Sequence, residues 1–314
     1  MDRKGNKQGK YLYGPVPSRR LGLSLGVDIV PLKVCTLDCV YCQLGRTTQK
    51  SIERSEFVDI GEVLAELRQS LSDGVRADFV TIGGSGEPTL NSGLGKLIDG
   101  IRAITDIPVA VLTNGTLFYR EDVRAECARA DVVLPSLDAG DEQVFRRVNR
   151  PHKDISIEKL VFGLCKFREE FAGQMWLEVF FVEGLNTDAD QIAKIKAAIE
   201  RIQPDRVQLN TAVRPTAEPN VKRLDTAKLR AIAAQLGEKC EVVADFAPGR
   251  RGKHIERTAE NVLSMLRRRP CSLDDICSGL GIHREAALKY ISHFQQRGVV
   301  GSEEKHGIIF FKAK

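Results

Sequence analysis

Six times between residues 23 and 236, a short and nearly unbroken apolar run gives way to a stretch with amphipathic helical spacing. The runs predict strands at 23–30, 78–82, 109–115, 132–138, 175–182 and 206–210, with helices at about 59–71, 92–104, 120–129, 140–149, 156–171, 189–201 and 225–236. Strands that are apolar on both faces need cover on both, which calls for a parallel sheet wrapped by helices through right-handed crossovers. Eight such units close a TIM barrel, and six fall short of closure. The predicted fold class is therefore α/β: a partial (β/α)6 TIM-like barrel over residues 21–245, preceded at 1–20 by a basic extension. Its Gly14, Pro15 and Pro17 forbid a long helix and leave a loop or a short edge strand. The rhythm changes after 246–254, a Pro/Gly/Arg stretch that reads as a linker. Helical spacing at 255–268, 272–280 and 283–297, then strand-like runs at 299–300 and 308–312, predict a small C-terminal winged helix-turn-helix domain over 255–314. Its third helix would turn Arg284, Lys289 and His293 outward, with Ala286, Leu288 and Ile291 or Phe294 inward.

Directly after the first run come Cys35, Cys39 and Cys42, spaced CxxxCxxC. Three soft ligands within eight residues can hold one metal centre, and with no fourth Cys nearby they leave one position open. A [4Fe–4S] cluster takes four ligands, so three thiolates leave one iron for a small molecule. A zinc knuckle and a chance group of core thiols are the competing readings. The other cysteines, at 127, 165, 240, 271 and 277, are scattered and carry no pattern for a second cluster. Later strand ends carry polar groups where ligands gather in such folds: Gly86 and Glu87 in the turn at 83–89, Asn114, Ser136 with Asp138, and Asn210. Asp28 reads as hydrogen-bonded structure, Glu178 as a residue that can face the lumen, and Arg214 as a candidate anion contact.

CxxxCxxC with an aromatic, Tyr41, directly before the last Cys resembles the cluster loop of the radical S-adenosylmethionine (radical SAM) superfamily. The resemblance covers about residues 20–245. It implies an oxidoreductase in which Cys35, Cys39 and Cys42 hold a [4Fe–4S] cluster whose open iron binds SAM. One electron then yields methionine and a 5′-deoxyadenosyl radical that abstracts hydrogen from substrate. By position, Tyr41, Gly86, Glu87, Asn114, Ser136 and Asp138 resemble SAM-contacting residues. The resemblance also implies an electron donor of flavodoxin or ferredoxin type. The wording GPVPSRR at 14–20, CVYCQLG at 39–45, SGEPTL at 85–90 and TNGT at 113–116 is most similar to an Fe–S oxidoreductase branch related to the wyosine-forming, tRNA-modifying enzymes (demethylwyosine synthase). The archaeal tRNA enzyme carries further Cys ahead of its SAM loop, and here none precedes Cys35.

Net charge is +5, concentrated at one end: residues 249–314 hold thirteen Lys/Arg against seven Asp/Glu, leaving −1 for the rest. A basic tail is a solvated surface or a face for a polyanion. A domain that simply packs on the barrel, RNA or a protein substrate docked through it, and an Fe–S or zinc-dependent DNA-binding regulator are the expectations it leaves open. No run of eighteen apolar residues occurs, and the opening MDRKGNKQGK is polar, so neither membrane insertion nor secretion is expected. A reducing cytoplasm, where thiols serve as ligands rather than disulfides, follows as the expected location. The five His have no metal-ligand spacing, and GxSxG, Walker A and HExxH patterns are missing, which removes the common hydrolase and NTPase readings.

Overall fold

The computed structural model describes residues 11–18, 20–243, 259–280, 282, 284–305 and 307–314. The expected linker at 246–254, the first ten residues of the basic extension, Arg19, His283 and His306 lie outside the described residues. The chain runs β1 (Leu12–Ser18), β2 (Gly22–Val27), β3 (Val34–Cys35), β4 (Gln49–Lys50), α1 (Ile60–Ser72), β5 (Phe79–Ile82), α2 (Leu94–Ile104), β6 (Val109–Leu112), α3 (Glu121–Cys127), β7 (Val132–Leu134), α4 (Glu142–Val148), α5 (Ile157–Glu170), β8 (Gln174–Phe181), α6 (Ala189–Ile202), β9 (Arg206–Thr211), α7 (Thr226–Leu236) and β10 (Cys240–Val242). The eight-stranded sheet has the order β1-β2-β5-β6-β7-β8-β9-β10, parallel from β2 to β10. Six of these strands are the expected ones, and the barrel stays open as their number requires.

At one edge residues 12–18 take the short-strand form of the two expected, antiparallel to β2, with Leu12 opposite Val27, Ser18 opposite Gly22 and a register shift between Tyr13 and Val16. At the other edge β10 adds a seventh parallel strand beside β9. Its sequence, Cys-Glu-Val, is too short and too polar to announce itself.

Five of the barrel helices, α1, α4, α5, α6 and α7, start where a side chain caps free backbone N–H groups. Asp59 accepts from Gly61 and Glu62, Asp141 from Val144, Ser156 from Lys159, Asp188 from Gln191 and Asp225 from Ala227. Each helix then buries one stripe against the sheet: Ile60, Val63 and Leu67 of α1, Leu94, Leu97, Ile98 and Ile101 of α2, and Leu160, Leu164 and Phe167 of α5. Phe167 stacks between Phe118 and Phe171. No helix of the described residues is long and apolar enough to cross a membrane.

Beyond residue 258 a separate core forms from α8 (Ala259–Arg268), β11 (Cys271–Ser272), α9 (Leu273–Leu280), α10 (Arg284–Gln296), β12 (Val300–Lys305) and β13 (Ile308–Ala313). The strands make an antiparallel sheet in the order β11-β13-β12. Ser272 and Asp275 cap α9 reciprocally, Ser272 Oγ accepting from Asp275 N and Asp275 Oδ2 from Ser272 N. The inward face of α10 is carried by Ala287, Ile291 and Phe294, while Leu288 is 41% exposed, contrary to the expected phase. The cause is packing against α8 and α9, which fixes the helix rotation. This unit packs on β1, with Val16 against its core. It also crosses to the barrel through Arg214–Asp275 (2.8 Å) and Arg268–Asp28.

Candidate active site

Residues 36–42 form a loop fixed from both sides by backbone hydrogen bonds. Asp38 N and Val40 N donate to the carbonyls of Asn149 and Val148, and His152 N donates to Thr36 O. Across the loop, Ala217 N and Glu218 N donate to Cys42 O and Val40 O. Asp38 accepts from Thr47 N (2.7 Å) and Arg46 (3.0 Å), which hold its carboxyl below the usual carboxylate range against the opposing cost of burial. Such a loop keeps its shape without help from the thiols.

Cys35, Cys39 and Cys42 all face one cavity of about 470 Å³. The polar neighbours of their sulfurs are N–H donors: Lys33 Nζ donates to Cys42 Sγ (3.0 Å), Asn149 Nδ2 to Cys39 Sγ (3.4 Å) and Asn114 Nδ2 to Cys35 Sγ (3.5 Å). Burial pushes the Cys35 thiol up to about 12, helped by the Glu87 charge, and lifts Cys39 as well. A thiol in so dry a place ionises when a metal takes up the charge. Among the described residues no group of three His, Cys, Asp or Glu converges on a single ion. Three thiolates on one loop, each with an N–H donor at its sulfur, fit a [4Fe–4S] cluster that binds each thiolate at its own corner and leaves one iron open.

The wall opposite the loop is the turn after β5. Lys33 N donates to Ser85 O (2.7 Å) and Glu87 N to Val34 O (3.1 Å), so turn and loop touch backbone to backbone. Gly86 permits this: a Cβ there would stand 2.1 Å from Val34 O. Glu87 lines the cavity and is 2% exposed. Its Oε1 accepts from Thr89 N, Thr89 Oγ1 and Thr113 Oγ1, and its Oε2 from Asn114 N (2.7 Å). Burial raises its carboxyl, with those hydrogen bonds acting in opposition. Asn114 Nδ2 also donates to Thr36 Oγ1 (2.8 Å), fastening the end of β6 to the loop.

Ser136, Glu178, Asn210 and Arg214 complete the polar rim. Ser136 lines the cavity, and its hydroxyl has no hydrogen bond within the described residues. Glu178 accepts from Arg20 (2.7 Å) and Asn210 (3.0 Å). Tyr41 lies on Phe180 with ring centroids 3.9 Å apart. Asp138 is the exception among the expected contacts, because it does not line the cavity. It sits behind Tyr41 and Phe180, its Oδ1 accepting from Phe180 N (2.8 Å) and its Oδ2 from Tyr41 OH and Asn149 Nδ2. Asp28 is structural as expected, gripping Ser85 and Arg268. The sequence reading missed Lys33, Asn149 and Phe180, and the cavity wall contributed by Met265, Arg268 and Arg269 of the C-terminal unit.

Two expected results follow from these contacts. Burial lifts the Asp138 carboxyl to about 6, while the bonds from Tyr41, Asn149 and Phe180 act to lower it. A carboxyl raised on folding holds its proton in the folded chain between its ordinary value and about 6. Its contribution is present below that window and lost as pH rises through it. Thermal midpoints of the metal-free protein should therefore fall from about pH 4 to about pH 6, and Asp138→Asn should remove that part of the slope; identical slopes would contradict the assignment. Lys33 places an ammonium, 6% exposed, against Cys42. Lys33→Met should lower the cluster midpoint potential by on the order of 50 mV in an EPR-monitored redox titration, and an unchanged potential would show that the ammonium does not act on the cluster.

A partial barrel with three cysteines, a glycine turn and a ring of polar strand ends around one cavity defines a class of iron–sulfur enzyme. The family model described as "Radical SAM superfamily" matches residues 29–194. A UPF0026 protein of Helicobacter pylori is 34% identical over 269 residues, covering 84% of this chain and 86% of that protein. The chain belongs to the radical SAM superfamily and, within it, groups with the UPF0026 proteins. A protein of Brachyspira hyodysenteriae named GTPase Obg is 34% identical over 311 residues, or 98% of this chain. The chain spans 46% of the length of that relative. Among solved structures, "Structure of TYW1 with a lysine-pyruvate adduct bound" aligns with a TM-score of 0.52 at 21% identity, covering 71% of this chain and 75% of that one, a likeness of fold. The three cysteines and the cavity they face fit the [4Fe–4S] cluster and SAM that are the cofactors of this superfamily.

Proposed function

We propose that this enzyme uses its cavity to direct radical hydrogen abstraction at a nucleoside within RNA. The observation that carries the chemistry is the single cavity joining Cys35, Cys39 and Cys42 to the Gly86 turn, Ser136, Glu178 and the wall from residues 261–280. When bound, the reduced cluster supplies the electron that splits SAM and so the radical. The chain's own residues do the rest. The three cysteines hold the cluster, with Lys33, Asn114 and Asn149 donating to their sulfurs. The backbone of the turn at 84–86 receives the SAM amino group, and Glu87 keeps that turn in shape through four hydrogen bonds. Ser136 is the donor for the ribose or carboxylate of SAM. Tyr41 contributes to the same wall by stacking on Phe180, and Asp138 acts through Tyr41 and Asn149 as a positioning residue. The C-terminal unit adds Asn261, Ser264, Met265, Arg268, Arg269 and Leu280 to the cavity wall, and a wall there reduces the access of water, from which a carbon radical is kept for selectivity. A one-electron donor of flavodoxin or ferredoxin type serves the cluster.

The RNA assignment is supported by the similarity of residues 14–20, 39–45, 85–90 and 113–116 to the wyosine-forming branch and by the +6 charge of residues 249–314. The test compares modified nucleosides and modified proteins between cells with and without the gene. Loss of one modified nucleoside supports the assignment. An unchanged nucleoside profile with a lost protein modification would replace it with a protein substrate.

A further inference from the structure

Among the described residues four guanidinium groups line the cavity: Arg20, Arg214, Arg268 and Arg269. Three of them have carboxylate partners. Arg20 meets Glu178 at 2.7 Å, Arg214 meets Asp275 at 2.8 Å, and Arg268 pairs with Asp28 while lying 4.1 Å from the centroid of the Tyr13 ring. Arg269, on the turn between α8 and β11, forms no ion pair with a described residue. Arg214 is 5% exposed, and its Nε is buried with no acceptor. Burial depresses the Arg214 guanidinium, the charge of Arg269 depresses it further, and Asp275 opposes both. Asp275 is paired with Arg214 and also accepts from the N–H of Ser272 (3.0 Å), so Arg269 adds a second positive charge beside Arg214 with no ion pair of its own among the described residues.

A buried charged donor left without an acceptor costs about 1–3 kcal/mol, and an uncompensated like-charge neighbour adds to that. Arg214 and Arg269 both line the cavity, where an anion can approach the pair and offset their charge. The guanidinium fork matches the two oxygens of a phosphate or a carboxylate, a geometry that lysine does not offer. We infer that Arg214 and Arg269 form a subsite for an oxyanionic group of the substrate, phosphate or carboxylate, assembled half from the barrel and half from the C-terminal unit. The inference rests on the reading of this cavity as the reaction chamber. It makes the C-terminal unit part of the substrate site, with α8 and the turn after it facing inward.

The test is calorimetric titration of the anaerobically reconstituted full-length protein, saturated with SAM, using inorganic pyrophosphate and, separately, succinate. At least one probe should bind, and Arg269→Gln should weaken it about tenfold or more. Arg269→Lys, which keeps the charge but loses the fork, should recover part of the loss. Arg214→Gln should act in the same direction, with circular dichroism reporting whether the buried pair with Asp275 was needed for folding. The tighter probe identifies the oxyanion as phosphate or carboxylate. Binding of neither probe, or equal affinity in wild type and Arg269→Gln, overturns the subsite. So does a parallel loss of SAM affinity in Arg269→Gln, which would assign the guanidinium to SAM itself. Pyrophosphate held through Arg269 by a protein that never forms 5′-deoxyadenosine would sink the radical reading and leave the subsite standing. A protein that forms it but binds neither probe would do the reverse.

Discussion

Replacing Cys39 by alanine is expected to give a folded protein that retains little iron and cleaves SAM at less than about one hundredth of the wild-type rate. The fold should survive because the loop is held by its backbone, through Asp38 and Val40 to Asn149 and Val148 and through Cys42 and Val40 to Ala217 and Glu218. None of those bonds involves a sulfur. The cluster should not survive. Changes to groups that merely support a metal ligand already cost 10–100-fold in affinity or activity as a general range, and loss of a ligand exceeds that. Cys35→Ala and Cys42→Ala should behave alike, whereas Cys271→Ala, a core change in the C-terminal unit, should lower stability without emptying the cluster site. Iron and sulfide analysis, circular dichroism and chromatography of 5′-deoxyadenosine make the comparison. Iron retention by all three single variants would contradict the ligand assignment.

Gly86→Ala should produce the next largest effect. The added methyl would meet Val34 O at 2.1 Å and Val30 Cγ2 at 3.2 Å. The backbone carbonyl cannot swing aside, because Glu87 N donates to it at 3.1 Å. Turn and loop must therefore separate. Overpacking of this kind costs about 1–3 kcal/mol, and the displaced turn is the wall expected to receive SAM. A fall of several degrees in thermal midpoint should accompany at least about a tenfold loss of SAM affinity, the latter corresponding to 1.4 kcal/mol. Wild-type SAM affinity in a destabilised Gly86→Ala protein would show that the turn serves the fold alone.

The contrast between these two positions shows which parts of the molecule the sequence makes legible. Cys35, Cys39 and Cys42 could be read directly because ligand spacing is a local property, settled within eight residues. The parallel strands were equally readable, since burial on both faces demands apolar runs such as the one at 109–112. Gly86 was legible as a residue of the glycine turn resembling a SAM contact, but its close approach to Val34 depends on chain about fifty residues away and was not. Asp138 shared its strand end with Ser136, yet the two part company: Ser136 faces the cavity while Asp138 is drawn back by Phe180 N and Asn149. Lys33 gave no signal, because it lies in a turn beyond the predicted strand 23–30, where its positive φ of 63° and the folded chain, not a periodic pattern, bring its ammonium to Cys42. Packing of the C-terminal unit on the barrel was among the open readings, but its share in the cavity wall was not legible. Contacts such as Arg268–Asp28 join residues 240 positions apart, and no periodicity encodes them.

The central claim is that three cysteines present a cluster with one open iron to SAM inside this cavity. EPR of the reduced, anaerobically reconstituted protein tests it most directly. The account predicts a [4Fe–4S] signal that changes when SAM is added, with 5′-deoxyadenosine forming in the same sample. A colourless protein carrying one zinc per chain, or a cluster signal indifferent to SAM, would contradict it.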